Sequence, residues 1–458
     1  MISSRHNLKR AILVLGDLVS FEAALILTLW LRYGQLLGQE WGWHVLPFTL
    51  VMLMWLAGFY IAGLYDLKLT REPLRFLRTY LEGMLANLAV AVAFFYLLPF
   101  FGIAPRTNLF FFFAISLLLG YAWRVVFNRF IDPTFARSRV LFIGPADEVP
   151  SLQKILKSSS LGLELVAALP TSGQPEPSSG LRWLENLTGL AQRLQEERID
   201  AVVLGTKPEA YPGLENALYR TLIARVTLLD RAEIEEVATG RIPLTHVSRT
   251  WFLNHLNEAD KTWYETVKRA TDFLLAIPFA LLTLLLLPFV ALAIKLSSPG
   301  PVFYSQQRVG KGGRLIRIYK FRTMHTDAEK YGPQFTADAR TDPRLFAVGR
   351  LLRQLRIDEL PQIWNVLRGD LSLIGPRPER PEFVVPLLER MPYYGLRHLT
   401  RPGLTGWAQV NFLEPTTSLD DNLKKLQYDL FYIKHRSLLL DLAILLKTVG
   451  IVVRRQGT

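Results

Sequence analysis

FLLAIPFALLTLLLLPFVALAI, residues Phe273 to Ile294, is an apolar run of about 22 residues, long enough to cross a bilayer. Its flanks argue against a crossing. Lys268 and Arg269 precede it, and Lys295, Arg308, Lys311, Arg314, Arg317, Lys320 and Arg322 follow it. Cationic flanks prefer the cytoplasmic side, so both ends favour the same face. Pro278 and Pro288 lie inside the run, where each removes a backbone donor and permits a bend. The pattern predicts a helix-break-helix that enters one leaflet and returns, with a straight fifth span as the alternative.

Working toward the N-terminus, four further apolar runs appear, at about Ala11–Leu31, Val45–Tyr65, Leu81–Phe101 and Leu109–Phe127. Each is near the roughly 20 residues of a transmembrane helix. Asp17 and Glu22 in the first run are costly in lipid and are expected to face other helices or a wet surface. Trp30, Tyr33, Trp41, Trp43, Tyr65 and Tyr80 sit near run ends, as in an aromatic belt. Arg5, Lys9 and Arg10, then Lys68, Arg71, Arg75 and Arg78, then Arg124, Arg129, Arg137 and Arg139 outnumber Arg32 and Arg106 on the other connections. Both ends of this bundle are therefore expected in the cytoplasm. The first run lacks a small-residue cleavage site and more spans follow it, so it does not read as a cleaved signal.

Composition agrees. Apolar residues make up 50% of the 458 positions, and mean hydropathy is +0.20. Cysteine is absent, which excludes a disulfide framework, a thiolate metal site and a cysteine nucleophile. A net charge of +13 suits an anionic partner, either lipid headgroups or phosphorylated substrates. Nucleic acid is not expected, because the aromatics lie mostly inside apolar runs.

Between about Arg139 and Arg249 the texture is soluble. Val140–Gly144, Leu163–Leu169, Ala201–Gly205 and Arg225–Leu229 read as strands, and Leu181–Glu197 and Leu214–Ala224 as helices. That alternation predicts a doubly wound parallel sheet, a Rossmann-like domain. Its first turn, Gly144-Pro145-Ala146-Asp147-Glu148, lacks G-x-G-x-x-G, and its carboxylates oppose a pyrophosphate. A structural, sensory or assembly role follows, with Thr171–Gly180 as a flexible loop.

Toward the C-terminus a hairpin is expected around Gly310–Gly313. Next comes LLRQLRIDELPQIWNVLRGDLSLIGPRPERPE, Leu351 to Glu382. It holds adjacent carboxylates Asp358 and Glu359, a break at Pro361, and a rigid Gly375-Pro376-Arg377-Pro378 turn. A carboxylate can attack phosphorus or hold Mg²⁺, and an arginine offers phosphate a planar fork. The same residues also suit a solvated helix face. His325, His398 and His435 lack metal spacing.

From about Lys268 to the C-terminus, these motifs together with RHLTRPGLTGWAQVN (Arg397–Asn411) resemble the bacterial sugar transferase domain of polyprenyl-phosphate hexose-1-phosphate transferases. The whole chain is similar to the long membrane form, the undecaprenyl-phosphate glucose or galactose phosphotransferases. The resemblance implies three parts: a four-helix transmembrane bundle at 1–130, a Rossmann-like α/β domain at 138–250, and a reentrant helix with a mostly α-helical catalytic domain at 260–458. It implies transfer of a hexose-1-phosphate from a UDP-sugar to undecaprenyl phosphate, releasing UMP and initiating exopolysaccharide or O-antigen assembly. Asp358 would be the nucleophile and Glu359 the Mg²⁺ ligand, with Arg377, Arg401, Lys320 and Arg322 on phosphates and Lys268 and Arg269 at headgroups. A homodimer in the bacterial inner membrane, catalytic domain on the cytoplasmic face, completes the expectation. The family's reentrant helix breaks at Ser-Pro, whereas here the prolines are Pro278 and Pro288. Two other readings compete: a membrane-anchored nucleotide-sugar dehydratase or epimerase, and a non-enzymatic export scaffold.

Overall fold

The computed structural model describes residues 2–34, 39–66, 73–97, 106–131, 138–159, 161–173, 181–221, 226–256, 261–328, 330, 342–412 and 418–453. The chain divides into two compact units, Met1–Thr239 and Gly240–Thr458. Residues 174–180 of the expected loop lie outside the described residues.

The first unit opens with four long helices, α1 (Ile2–Tyr33), α2 (Gln39–Ala62), α3 (Pro73–Leu97) and α4 (Arg106–Val126), which carry most of the four apolar runs; residues 98–101 of the third run lie outside the described residues. All four are long and apolar enough to cross a membrane. Rings fill their interior: Trp55 packs against Phe21 and Phe112, and Phe59 against Tyr80. Asp17 of α1 meets Arg124 of α4 at 2.5 Å, with both side chains fully buried. Arg124 also donates to the Leu64 carbonyl at 3.0 Å. The costly carboxylate is thus neutralised inside the bundle.

The same unit continues as an α/β domain. Its strands are β1 (Ser138–Gly144), β2 (Leu163–Pro170), β3 (Arg182–Trp183), β4 (Ala201–Leu204) and β5 (Thr227–Asp230). Helices α5 (Val149–Ser158), α6 (Leu190–Glu196), α7 (Leu214–Thr221) and α8 (Arg231–Thr239) alternate with them. The sheet is parallel throughout, in the order β3-β2-β1-β4-β5. Val140 and Phe142 of β1 pack into one core layer, Leu141 and Ile143 into the other. That alternation is what helices on both faces demand. The expected helix at Leu181–Glu197 is corrected: Arg182–Trp183 pairs with Ala167–Ala168 as a short edge strand, and only Leu190–Glu196 is helical.

The second unit begins at Gly240, where Ile242 donates its backbone N–H to the Gln427 carbonyl and Phe252 packs on Tyr393. It holds α9 (Arg249–His255), α10 (Thr262–Ser297), the hairpin β6 (Phe303–Val309) and β7 (Leu315–Phe321), and α11 (Ala347–Gln354). A 3₁₀ segment, Ile357–Gln362, leads into α12 (Ile363–Arg368). Then follow β8 (Ser372–Ile374), α13 (Pro381–Arg390), β9 (Gly403–Thr405), α14 (Trp407–Asn411), α15 (Leu419–His435) and α16 (Leu438–Val453).

Helix α10 stays helical through Pro278 and Pro288, so the expected break does not interrupt it. One stripe of α10 is buried: Tyr264, Lys268, Asp272 and Ala276 at four-residue spacing, then Val290 and Ile294. The first part packs into the cluster around Val366 and Ile374, the last into the cluster of Phe321, Phe346 and Leu352. Both ends thus rest on one unit. The other faces expose Leu274, Leu281, Leu284, Leu285, Phe289, Leu292 and Leu296.

Candidate active site

Helix α11 stops at Leu355 because Arg356 adopts a left-handed conformation, φ +57°. The chain turns there into the 3₁₀ segment that carries the carboxylate pair. Asp358 is 7% exposed, and Glu359 retains 27% side-chain exposure. Lys320, from β7, holds Glu359 Oε1 at 2.6 Å. Arg356 lies 4.0 Å from Glu359 Oε2.

The two carboxyls are driven apart electrostatically. Burial, and then the charge of Glu359, push the Asp358 carboxyl up to about 6 against the pull of Lys320, Arg353 and Arg356. Burial also works against the Glu359 charge, but Lys320, Arg377 and Arg356 outweigh it and hold Glu359 well below the usual carboxylate range. Two acids thus sit inside a basin of four cations.

Buried side chains position those cations. Asn365, fully buried on α12, donates to the Arg317 carbonyl at 2.7 Å and accepts from the Tyr319 N–H at 3.3 Å, which fixes β7 and hence Lys320. Arg353 donates to Thr323 Oγ1 at 3.1 Å. The loop bearing Arg377 follows β8, which pairs in parallel with β9. Gly375, Gly403 and Gly406 allow this, since a Cβ on any of them would strike the partner's backbone. Behind the loop, buried Arg397 donates to the Arg377 carbonyl at 3.1 Å and pairs with Asp429 at 2.9 Å.

The geometry therefore brings together Asp358, Glu359, Lys320 and Arg377 from the residues expected on sequence grounds. It adds Arg353 and Arg356 at the carboxylates, with Asn365 and Arg397 as positioning residues. Arg353 and Arg356 lie in the quoted stretch, five and two residues before Asp358, and that proximity was the available signal. Asn365 interrupts an apolar helical run, a weaker one.

Three expectations are corrected. Arg322 does not face the carboxylates. It is buried, stacks on Phe346, and donates to the carbonyls of Ser298, Pro299 and Pro301. These carbonyls lie in the segment just past α10, and Arg322 supplies their donors. Lys268 does not reach outward to headgroups, because it is buried against Asp441 at 2.9 Å. Arg269 donates to the Val366 and Leu367 carbonyls and closes the end of α12. The phosphate contact of Arg401 stands as an expectation; the residue pairs with Glu265 of α10 at 3.4 Å.

Among the described residues no cluster of three or more His, Cys, Asp or Glu forms a ready metal cage. Two adjacent carboxylates fit a weaker arrangement, in which Mg²⁺ is held by one or two protein oxygens and by the phosphates of a substrate.

Comparison with known proteins places this site in context. The sequence profile described as bacterial sugar transferase matches residues 263–455. The chain is 41% identical over 261 residues to a UDP-N-acetylgalactosamine-undecaprenyl-phosphate N-acetylgalactosaminephosphotransferase of Aeromonas hydrophila, covering 57% of this chain and 60% of that protein. It is 36% identical over 275 residues to the undecaprenyl-phosphate glucose phosphotransferase of Komagataeibacter xylinus, covering 57% and 50%. It is 46% identical over 186 residues to a UDP-glucose:undecaprenyl-phosphate glucose-1-phosphate transferase of Caulobacter vibrioides, covering 40% and 68%. The matched stretch thus spans 60% and 50% of the lengths of the first two relatives.

Proposed function

This chain belongs to the bacterial sugar transferase family, and from that premise we propose that it moves a hexose-1-phosphate from a UDP-sugar to undecaprenyl phosphate, the first step of a surface polysaccharide. The observation that carries the reading is a nearly buried Asp358 beside a Glu359 already fixed by Lys320, within a ring of arginines. A pyrophosphate repels a carboxylate nucleophile, and that cationic ring removes the repulsion.

In the proposed sequence an Asp358 carboxylate oxygen bonds to the sugar-bearing phosphorus of the donor. The bond from that phosphorus to the bridging oxygen breaks, and the oxygen leaves with UMP. An oxygen of the lipid phosphate then bonds to the same phosphorus, the aspartyl bond breaks, and the carboxylate is restored. Arg377 and Lys320 hold the donor's phosphate oxygens, and Glu359 and Asp358 would hold Mg²⁺. Mg²⁺, when bound, supplies charge neutralisation for the pyrophosphate.

Support for a one-leaflet placement of α10 comes from its buried stripe. At 1.5 Å per residue a 36-residue helix is about 54 Å long, yet contacts from Tyr264 to Ile294 keep both ends on one unit. A crossing would strip those contacts from one end. We place the catalytic unit on the cytoplasmic face of the inner membrane, with α10 dipping its apolar faces into the near leaflet. We propose that the chain forms a homodimer, which mass photometry in nanodiscs would read as twice the chain mass.

The test of the covalent step uses donor labelled in the sugar-bearing phosphate, without lipid acceptor. The reading expects label on the peptide containing Asp358, removable by hydroxylamine. Stoichiometric UMP release with no labelled peptide would refute the intermediate.

A further inference from the structure

Arg356 is built unlike its neighbours. It is one of three non-glycine residues with positive φ among the described residues. That conformation strains an arginine, and glycine would adopt it freely. Strain of this kind next to reacting groups is a pointer to function. The turn places the guanidinium, 42% exposed, 4.0 Å from Glu359 Oε2.

What stands around it differs from what stands around the other cations. Lys320 comes from β7 and Arg377 from the loop after β8. Arg356 instead ends helix α11, whose Leu351 and Leu355, one turn apart, are 53% and 52% exposed. The buried Leu352 of that helix packs with Val290 and Ile294 of α10. Those α10 residues adjoin the exposed Phe289, Leu292 and Leu296. One side of the carboxylate pair therefore pairs a reachable cation with an apolar ridge. A water-soluble sugar nucleotide has no use for such leucines, whereas a phosphate carried on a hydrocarbon chain matches both features.

We propose that Arg356 receives the phosphate of the long-chain lipid acceptor beside the Asp358–Glu359 pair. This rests on the transfer reaction proposed above. Leu351 and Leu355 line the approach of the chain.

The test separates the two half-reactions in nanodiscs of neutral phosphatidylcholine. UMP formed in a single turnover without acceptor reads the donor, and product formed over a range of undecaprenyl phosphate concentrations reads the acceptor. Arg356→Gly removes the guanidinium while relieving the backbone, so it folds with a melting temperature at or above wild type. The expected result is an acceptor KM raised about tenfold or more above any change in donor KM, the worth of one charge-assisted hydrogen bond. Arg356→Lys restores part of it. Equal changes in both KM values, or no change in either, overturn the assignment. An effect seen only when anionic phospholipid is added to the discs overturns it too, and makes Arg356 a bilayer contact. If wild type releases no UMP, the transfer reaction itself fails, and this inference falls with it.

Discussion

Replacing Asp358 with Asn is predicted to stabilise the catalytic unit while abolishing its chemistry. The Asp358 carboxyl lies at about 6 in the folded protein against an ordinary 3.8, raised by burial and then by Glu359. The direction follows from linkage. A raised acid holds its proton more tightly when folded than when unfolded, so no penalty exists below about pH 4, where both states are protonated. As pH rises toward 6 the unfolded chain ionises more readily, and stability falls; above 6 the penalty is constant. About two units correspond to ~3 kcal/mol at neutral pH. Asparagine has the shape without the charge. In a unit of this size the gain is about 6–10 °C in melting temperature. The assay is thermal unfolding in nanodiscs with a chelator, at about pH 5 and 7.5, following tryptophan fluorescence. The advantage of Asp358→Asn should be largest at the higher pH and shrink at the lower. A mutant less stable than wild type at neutral pH, or a gap independent of pH, would refute the reasoning.

Other consequences follow from particular contacts. Arg397→Lys keeps a charge beside Asp429 but loses the fork that also reaches the Arg377 carbonyl. It should slow donor turnover about tenfold, read by UMP release, with little loss of melting temperature. Arg397→Met instead strands Asp429 as a buried charge, and should cost about 3–5 kcal/mol in a denaturation curve. Gly403→Ala would push a Cβ into the backbone of Gly375 and separate β8 from β9. Turnover should fall about a hundredfold through misplacement of Arg377, while the α/β domain still melts normally. In the bundle, Asp17→Asn leaves Arg124 buried and uncompensated. A loss of about 3–5 kcal/mol is expected in detergent unfolding, and the apolar pair Asp17→Leu with Arg124→Met should recover it.

What could be read in the sequence depended on how local the signal was. The four bundle helices and the carboxylate pair were legible, because hydropathy and a thirty-residue motif are written in consecutive residues. The parallel sheet was legible from strand-helix alternation, but Arg182–Trp183 was not. Two residues are too few to show a period of two, and only pairing with β2 makes them a strand. The cations were the hardest to sort. Arg322 and Lys320 are two residues apart at the end of β7, yet one holds the segment after α10 and the other holds Glu359. A sequence shows the charges but not which carbonyls lack donors. Lys268 and Arg269 failed for a related reason. Their position beside an apolar run suggested a headgroup contact, but Asp441 and the end of α12 lie within reach and take both. Arg397 was not singled out in the sequence, and its role in holding the Arg377 loop needed the fold. The prolines of α10 misled in another way. Each removes one hydrogen bond, and packing along the buried stripe is enough to keep the helix continuous.

The most direct test of the central claim is UMP release from UDP-glucose, UDP-galactose and an N-acetylated panel by nanodisc-held protein with undecaprenyl phosphate and Mg²⁺, for wild type and Asp358→Asn. Multiple-turnover release that requires the lipid and is absent in the mutant is the predicted result. Release that continues unchanged in Asp358→Asn would contradict it and remove Asp358 as the nucleophile.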